Sequence, residues 1–119
     1  MKYLCLIYGD QNAMATASPR ESAAVIDELV DYSEALQRSG HLLAGEALHP
    51  IQAATTVRVR NGRLSPADGP FAETEEQLAA FFLVDVRDLN HAIQLAARNP
   101  AARHGSVEIR PIRELTRPV

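Results

Sequence analysis

Two carboxylates in one short segment are the residues of this chain best suited to chemistry. Asp68 and Glu73 belong to the run Asp68-Gly69-Pro70-Phe71-Ala72-Glu73-Thr74. A carboxylate held beside an aromatic ring, away from water, binds its proton more tightly and can act as a general base near neutral pH. Asp68 and Glu73 are therefore the candidate catalytic residues, and Phe71 is a candidate ligand contact.

The same segment also has a purely structural explanation. Asp accepts hydrogen bonds from nearby backbone in turns, Gly adopts positive φ, and Pro stiffens the exit from a turn. Thr74 followed by Gln77 matches a capping box, which predicts a helical turn at this point. The residue types alone leave both interpretations of Asp68 open.

Three residues outside this segment are candidate ligand contacts. Glu46 lies in an apolar stretch, where a carboxylate is costly unless it is paired with an Arg or faces a cavity. Arg103 precedes the last predicted strand and can hold a carboxylate or phenolate through paired hydrogen bonds, although surface exposure is the simpler alternative. Tyr8, at the end of the first predicted strand, is the third candidate.

No metal or cofactor is expected. The histidines at 41, 49, 91 and 104 show no spacing typical of a metal site, and Cys5 is the one cysteine. We expect Cys5 to be an unreactive thiol of the core. The chain contains no glycine-rich phosphate loop, nucleophile elbow or dinucleotide-binding fingerprint.

Length and charge limit the remaining classes of function. The chain has 119 residues and a mass of 13.0 kDa, which predicts a single domain over 1–119. A net charge of -3 gives no basic field for nucleic acid. No apolar run approaches the roughly 20 residues of a membrane span, and the start does not resemble a signal peptide. We therefore expect a cytoplasmic protein that contacts neither nucleic acid nor membrane.

Two helices can be placed from their caps and apolar spacing. Ser18-Pro19-Arg20-Glu21 is a capping box and predicts a helix over 19–39, which Ser39-Gly40 ends. Its buried stripe is predicted to comprise Val25, Leu29, Tyr32 and Leu36. Asp88 predicts the start of a second helix, which ends at Asn99-Pro100.

Strands are predicted at 2–8, 41–48, 55–60, 79–86 and 107–110, and 9–17 is predicted to be a loop. Asn61-Gly62 predicts a tight hairpin that returns through 63–65. The strands at 2–8 and 79–86 are apolar on both faces, which is typical of central strands.

Without the hairpin, the element order is βαββαβ, which predicts an α+β, ferredoxin-like fold with an inserted β-hairpin. Its first and third strands are central, in agreement with the two strands that are apolar on both faces. Two helices cover only one face of such a sheet, so the other apolar face requires a partner. A homodimer that packs sheet against sheet, the dimeric α/β barrel, would cover it.

The motif at 68–74, continued to Leu78, resembles the signature of the DGPF-domain branch of the YCII-related family. The resemblance extends to Lys2-Tyr3-Leu4, Ala44-Gly45-Glu46 and Pro100-Ala101-Ala102-Arg103. The chain departs from the family pattern at Glu75, where Lys is usual, and at Ala79-Ala80, where Gly-Gly is usual. Members of the wider family are thought to use a His on the first helix with an Asp, whereas Ser22 lies in that region here.

The resemblance implies a dimeric α/β barrel with a small organic ligand between helix and sheet. It also implies either of two functions. One is cofactor-free proton transfer, such as isomerisation or elimination on a small oxygenated compound, with Asp68 or Glu73 as base and Arg103 stabilising negative charge. The other is a non-catalytic ligand-sensing or partner-binding module associated with extracytoplasmic-function sigma factors.

Overall fold

Six strands and three helices follow one another in the computed structural model, which describes residues 1–118. Their bounds, in chain order, are β1 Lys2–Asp10, α1 Gln11–Thr16, α2 Pro19–Arg38, β2 Leu42–Ala47, β3 Thr55–Arg60, β4 Arg63–Asp68, β5 Glu76–Asp85, α3 Leu89–Ala97 and β6 Ser106–Pro111. Short 3-10 turns at Ile51–Ala53 and Pro100–Arg103 precede β3 and β6. No helix in residues 1–118 is long and apolar enough to cross a membrane.

Four of the strands form one antiparallel sheet in the order β2-β5-β1-β6. Strands β1 and β5 are therefore central, as their apolarity on both faces predicts. This α+β arrangement is consistent with a ferredoxin-like fold. Strands β3 and β4 pair only with each other and form a separate two-stranded sheet.

The hydrophobic core lies between the four-stranded sheet and helices α2 and α3. Tyr3, Cys5 and Val84 from the sheet pack with Leu36 of α2 and Ala92 of α3. Burial raises the pKa of the Cys5 thiol, in agreement with its predicted role as an unreactive core residue. The strand residues of this core, Tyr3, Cys5 and Val84, all lie on one face of the sheet.

The opposite face of the sheet, called the open face below, is apolar and carries no helix. Leu4 pairs with Leu83 and Leu6 pairs with Phe81 across β1 and β5. These side chains are only half-buried. They form an apolar strip at the centre of the sheet with no covering layer in residues 1–118.

Local signals placed helices α2 and α3 correctly. Ser18 accepts a hydrogen bond from Glu21 N–H at 3.1 Å, and Asp88 accepts one from His91 N–H at 2.9 Å. Gly40 has a φ of 82°, so the predicted left-handed stop of α2 is confirmed. The prediction that Val25 is buried is wrong, because this residue lies on the first turns of α2, beyond the core, and is 49% exposed.

The predicted loop at 9–17 is also wrong, because most of it forms α1. Asp10 caps this helix and accepts hydrogen bonds from Asn12 N–H at 2.8 Å and Ala13 N–H at 3.2 Å. Helix α1 has no buried residue. It therefore lacks the apolar periodicity from which a helix is recognised in a sequence.

Strands β3 and β4 form an arm, residues 55–68, that stands apart from the main sheet. Positive φ values at Asn61 (52°) and Gly62 (73°) agree with the predicted tight turn. The apolar face of the arm is formed by Val57, Val59 and Leu64, which are 58–68% exposed. Alternation of apolar and polar residues normally marks a strand with one buried face. In the arm, the apolar face that this alternation predicts to be buried is exposed.

Two histidines meet where β2 begins and α3 begins. The rings of His41 and His91 lie edge to face with centroids 4.7 Å apart. His41 Nδ1–H donates to Asp85 O at 3.0 Å, and Arg87 N–H donates to His91 Nδ1 at 3.2 Å. Poor hydration, Arg87 and His41 lower the pKa of His91, against a smaller opposite effect of Asp88.

This lowered pKa predicts a pH dependence of stability. The unfolded chain binds a proton at His91 near the ordinary pKa of 6.5, whereas the folded chain binds it only at lower pH. The free energy of unfolding should therefore fall as the pH drops below 6.5. His91→Asn keeps an acceptor for Arg87 N–H and cannot titrate. Melting temperatures measured from pH 7.5 to pH 5 should fall more steeply for the parent than for this variant; parallel curves would contradict the prediction.

Candidate functional site

A groove of about 770 Å³ runs along the edge of the open face, beside the ends of β1 and β5. Its size lies within the usual range for small-molecule sites, and most of its lining is apolar. Three segments of the chain contribute. They are Tyr8 of β1, the stretch from Leu48 to Ala54 without Gln52, and the stretch from Pro70 to Leu78, which supplies the motif residues Pro70, Phe71, Ala72 and Thr74 and the β5 residues Glu76, Gln77 and Leu78.

Two hydrogen bonds at the base of the arm position two walls of the groove. Gly69 N–H donates to Ala54 O at 2.8 Å, and Thr56 Oγ1–H donates to Gly69 O at 2.9 Å. Gly69 has a φ of 109°, a conformation that favours glycine. These bonds join Gly69, directly after β4, to the start of β3 and the residue before it, so the motif begins beside the Leu48–Ala54 wall.

Gln77 anchors the other end of the motif. Its side chain is buried, and its Nε2 donates to Ala72 O at 2.8 Å and to Thr74 O at 3.0 Å. The predicted helical turn at Thr74 is wrong, because Gln77 belongs to β5. Thr74 and Gln77 do interact, but their contact holds the loop against the start of a strand.

Three titratable side chains line the groove. Tyr8 Oη–H donates to Glu108 Oε1 at 3.1 Å, and Ser106 Oγ is 3.1 Å from both carboxylate oxygens of Glu76. Loss of hydration and the bond to Glu108 raise the pKa of Tyr8, so its phenol stays protonated. The third group is the exposed imidazole of His49.

Of the predicted site residues, Tyr8 and Phe71 line the groove. Phe71 is 81% exposed, and its ring lies 5.6 Å from the guanidinium carbon of Arg58. Asp68 and Glu73, the predicted bases, are exposed and do not line it. Asp68 is the last residue of β4 and pairs with Thr55.

The two remaining candidates lie elsewhere. Glu46 is exposed on the edge strand β2, where water solvates its carboxylate, and it forms no ion pair within residues 1–118. Arg103 pairs with Glu28 of α2 through largely exposed side chains. Such a surface pair contributes about 0–1 kcal/mol. The structure therefore does not bring the six predicted residues into one cavity.

Sequence reasoning missed His49, Glu76 and Gln77 as groove residues. Gln77 could have been identified from the sequence, because a polar residue at the start of an apolar strand needs hydrogen-bond partners when it is buried. For His49 the only signal was the neighbouring Pro50, which follows β2 and precedes the 3-10 turn at Ile51–Ala53. A cluster of three metal-ligating side chains does not occur in the described part of the chain.

The anchoring role of Gln77 can be tested by replacing it with Glu. In Gln77→Glu, carboxylate oxygens face the carbonyls of Ala72 and Thr74, and two favourable contacts become repulsive. The expected loss of unfolding free energy is about 1–3 kcal/mol. Gln94→Glu makes the same chemical change at an exposed position of α3. It is the control and should leave the unfolding free energy nearly unchanged. Urea denaturation that gave equal stability for the two variants would show that Gln77 does not hold the motif.

Comparison with known proteins agrees with this architecture. Residues 1–116 match the model of the YCII-related domain. The chain is also 35% identical over 116 residues to an uncharacterised protein of Rhizobium meliloti (strain 1021), an alignment that covers 94% of this chain and 92% of the relative. The chain therefore belongs to the YCII-related domain family.

Proposed function

We propose that this protein, a member of the DGPF branch, binds a small molecule in the groove and acts as a homodimer. The observation that carries the proposal is the convergence of three separate segments on one mostly apolar groove of about 770 Å³. A few polar groups on apolar walls are typical of a site that orients a small ligand. Anchoring by Gln77 and Gly69 gives the motif a structural role in shaping this site.

The lining favours an uncharged, partly apolar ligand that carries a hydroxyl group. Leu48, Ile51, Phe71 and Leu78 offer apolar contact, and Glu76 offers an acceptor. Glu108 accepts a hydrogen bond from Tyr8, but it lies outside the lining and pairs with Arg110 at 3.6 Å. The Glu76 carboxylate repels an anion, so a phenol or an alcohol fits better than a carboxylic acid.

The homodimer is proposed because the isolated subunit exposes too much surface. Its accessible area is 9044 Å², whereas a compact monomer of 13.0 kDa exposes about 6,300 Å². The excess of about 2,700 Å² exceeds the ~800 Å² that each partner contributes to a standard interface. The open face, with Leu4, Leu6, Phe81 and Leu83, is the surface proposed to pack against a second copy.

Proton transfer is the second candidate function, and the observation that favours it is the presence of His49, Glu76 and Tyr8 in the groove. His49 or Glu76 would serve as the base, in place of Asp68 or Glu73. Arg103 takes no part, because it lies in an ion pair with Glu28. Association with a sigma factor stays a prediction of the sequence resemblance.

The groove can be tested with a matched pair of ligands. Thermal shift should show stabilisation by para-propylphenol and little by para-propylbenzoate, since the second carries a charge that Glu76 repels. A ligand at 100 times its Kd adds about 2.7 kcal/mol of stability. Leu78→Glu introduces charge into the wall and should weaken phenol binding at least tenfold.

Asp68→Asn is the matched control, since it removes a charge outside the groove and should leave binding within twofold. Loss of binding in Asp68→Asn but not in Leu78→Glu would contradict the groove and support the base predicted from the sequence. Failure of both ligands and of a broader set of phenols, alcohols and lactones would end the small-molecule proposal.

A further inference from the structure

The arm has an apolar face with nothing to cover it within its own chain. Val57 pairs with Pro66 and Val59 pairs with Leu64, which places all four side chains on one face of the two strands. A two-stranded sheet alone is marginally stable in water. An arm of this composition therefore needs a surface to pack against.

The shape of the subunit supports the same conclusion. The Cα radius of gyration is 16.6 Å, against about 13.5 Å for a compact domain of this length. The subunit measures 49 × 46 × 19 Å, so it is flat and extended. A second copy that packs on the open face would make the particle thicker. It would not by itself cover the arm, which stands apart from the main sheet.

Charge favours a second copy of the same chain as the surface that the arm meets. The arm carries Arg58, Arg60 and Arg63 against Asp68, a net charge of +2, which leaves -5 on the rest of the chain, whose total is -3. None of these three arginines forms an ion pair with a residue in 1–118. Complementary charge of this kind steers and orients association.

The base of the arm is also the wall of the groove. Ala54 lies directly before β3, and Pro70 and Phe71 follow closely after β4. Arg58 of the arm stacks on Phe71. A contact that fixes the arm therefore fixes the position of Phe71 in the groove wall.

We infer that the arm docks through Val57, Val59 and Leu64 on a second copy of this chain, and that this contact completes the ligand groove. The inference rests on the proposed function, since it concerns the same dimer and the same groove. It adds that assembly and ligand binding are linked: a ligand that needs the ordered wall binds the dimer more tightly than the monomer. By reciprocity, the ligand tightens the dimer by the same factor.

Sedimentation equilibrium of arm variants tests the contact. Val59→Asp and Leu64→Asp place a charge on the docking face at positions that are already exposed in the subunit, so the fold should survive, as circular dichroism will check. Each should raise the dimer Kd at least tenfold. Leu115→Asp, at an 82% exposed position of the C-terminal segment, is the control and should leave the Kd within twofold.

The outcomes separate this inference from the proposed function. If the parent is a dimer and both arm variants dimerise equally well, the arm contact is wrong while the dimer stands. A monomeric parent would overturn the arm contact and the dimer together.

Where the arm variants dissociate, titration with para-propylphenol should show at least fivefold weaker binding than to the parent. Equal binding would overturn the linkage. If the phenol binds neither protein, the ligand proposal and the linkage fail. Sedimentation equilibrium still tests whether the arm contacts a second copy.

Discussion

Strands β1 and β5 carry apolar side chains on both faces, and the rest of the structure depends on how these faces are covered. Helices α2 and α3 cover one face and form the core around Tyr3, Cys5 and Val84. The opposite face, with Leu6 beside Phe81, has no layer of its own. Because burial of apolar area is the dominant favourable term in folding, the homodimer proposed above would stabilise the chain by covering this face.

The groove follows from the same arrangement. Tyr8 and Leu78 pair at the end of the two central strands, on the open side of the sheet. Gln77, one residue away, is buried and holds Ala72 and Thr74 by their carbonyls. The motif is thus fixed to the sheet and leaves Phe71 free at the groove wall. A second copy on the open face would bring a further surface to this edge.

Local interactions made much of the fold predictable, and long-range contacts account for the rest. The caps at Ser18 and Asp88 and the turn at Asn61-Gly62 depend on neighbouring residues, so their sequence signals were sufficient. Glu46 and Arg103 lie away from the groove because their positions, on an edge strand and beside an ion-pair partner on α2, are decided by tertiary packing. The groove was missed because hydrogen bonds at Gly69 bring Leu48–Ala54 and Pro70–Thr74 together. No local sequence pattern predicts such long-range bonds.

The open face is proposed to be covered by a second copy in solution. Small-angle X-ray scattering over a range of concentrations distinguishes the dimer from the monomer, because it gives particle mass and dimensions together. We expect a particle of twice 13.0 kDa, with a thickness well above the 19 Å of one subunit. A particle of 13.0 kDa with the 16.6 Å radius of gyration of the single chain, at every concentration, would contradict it.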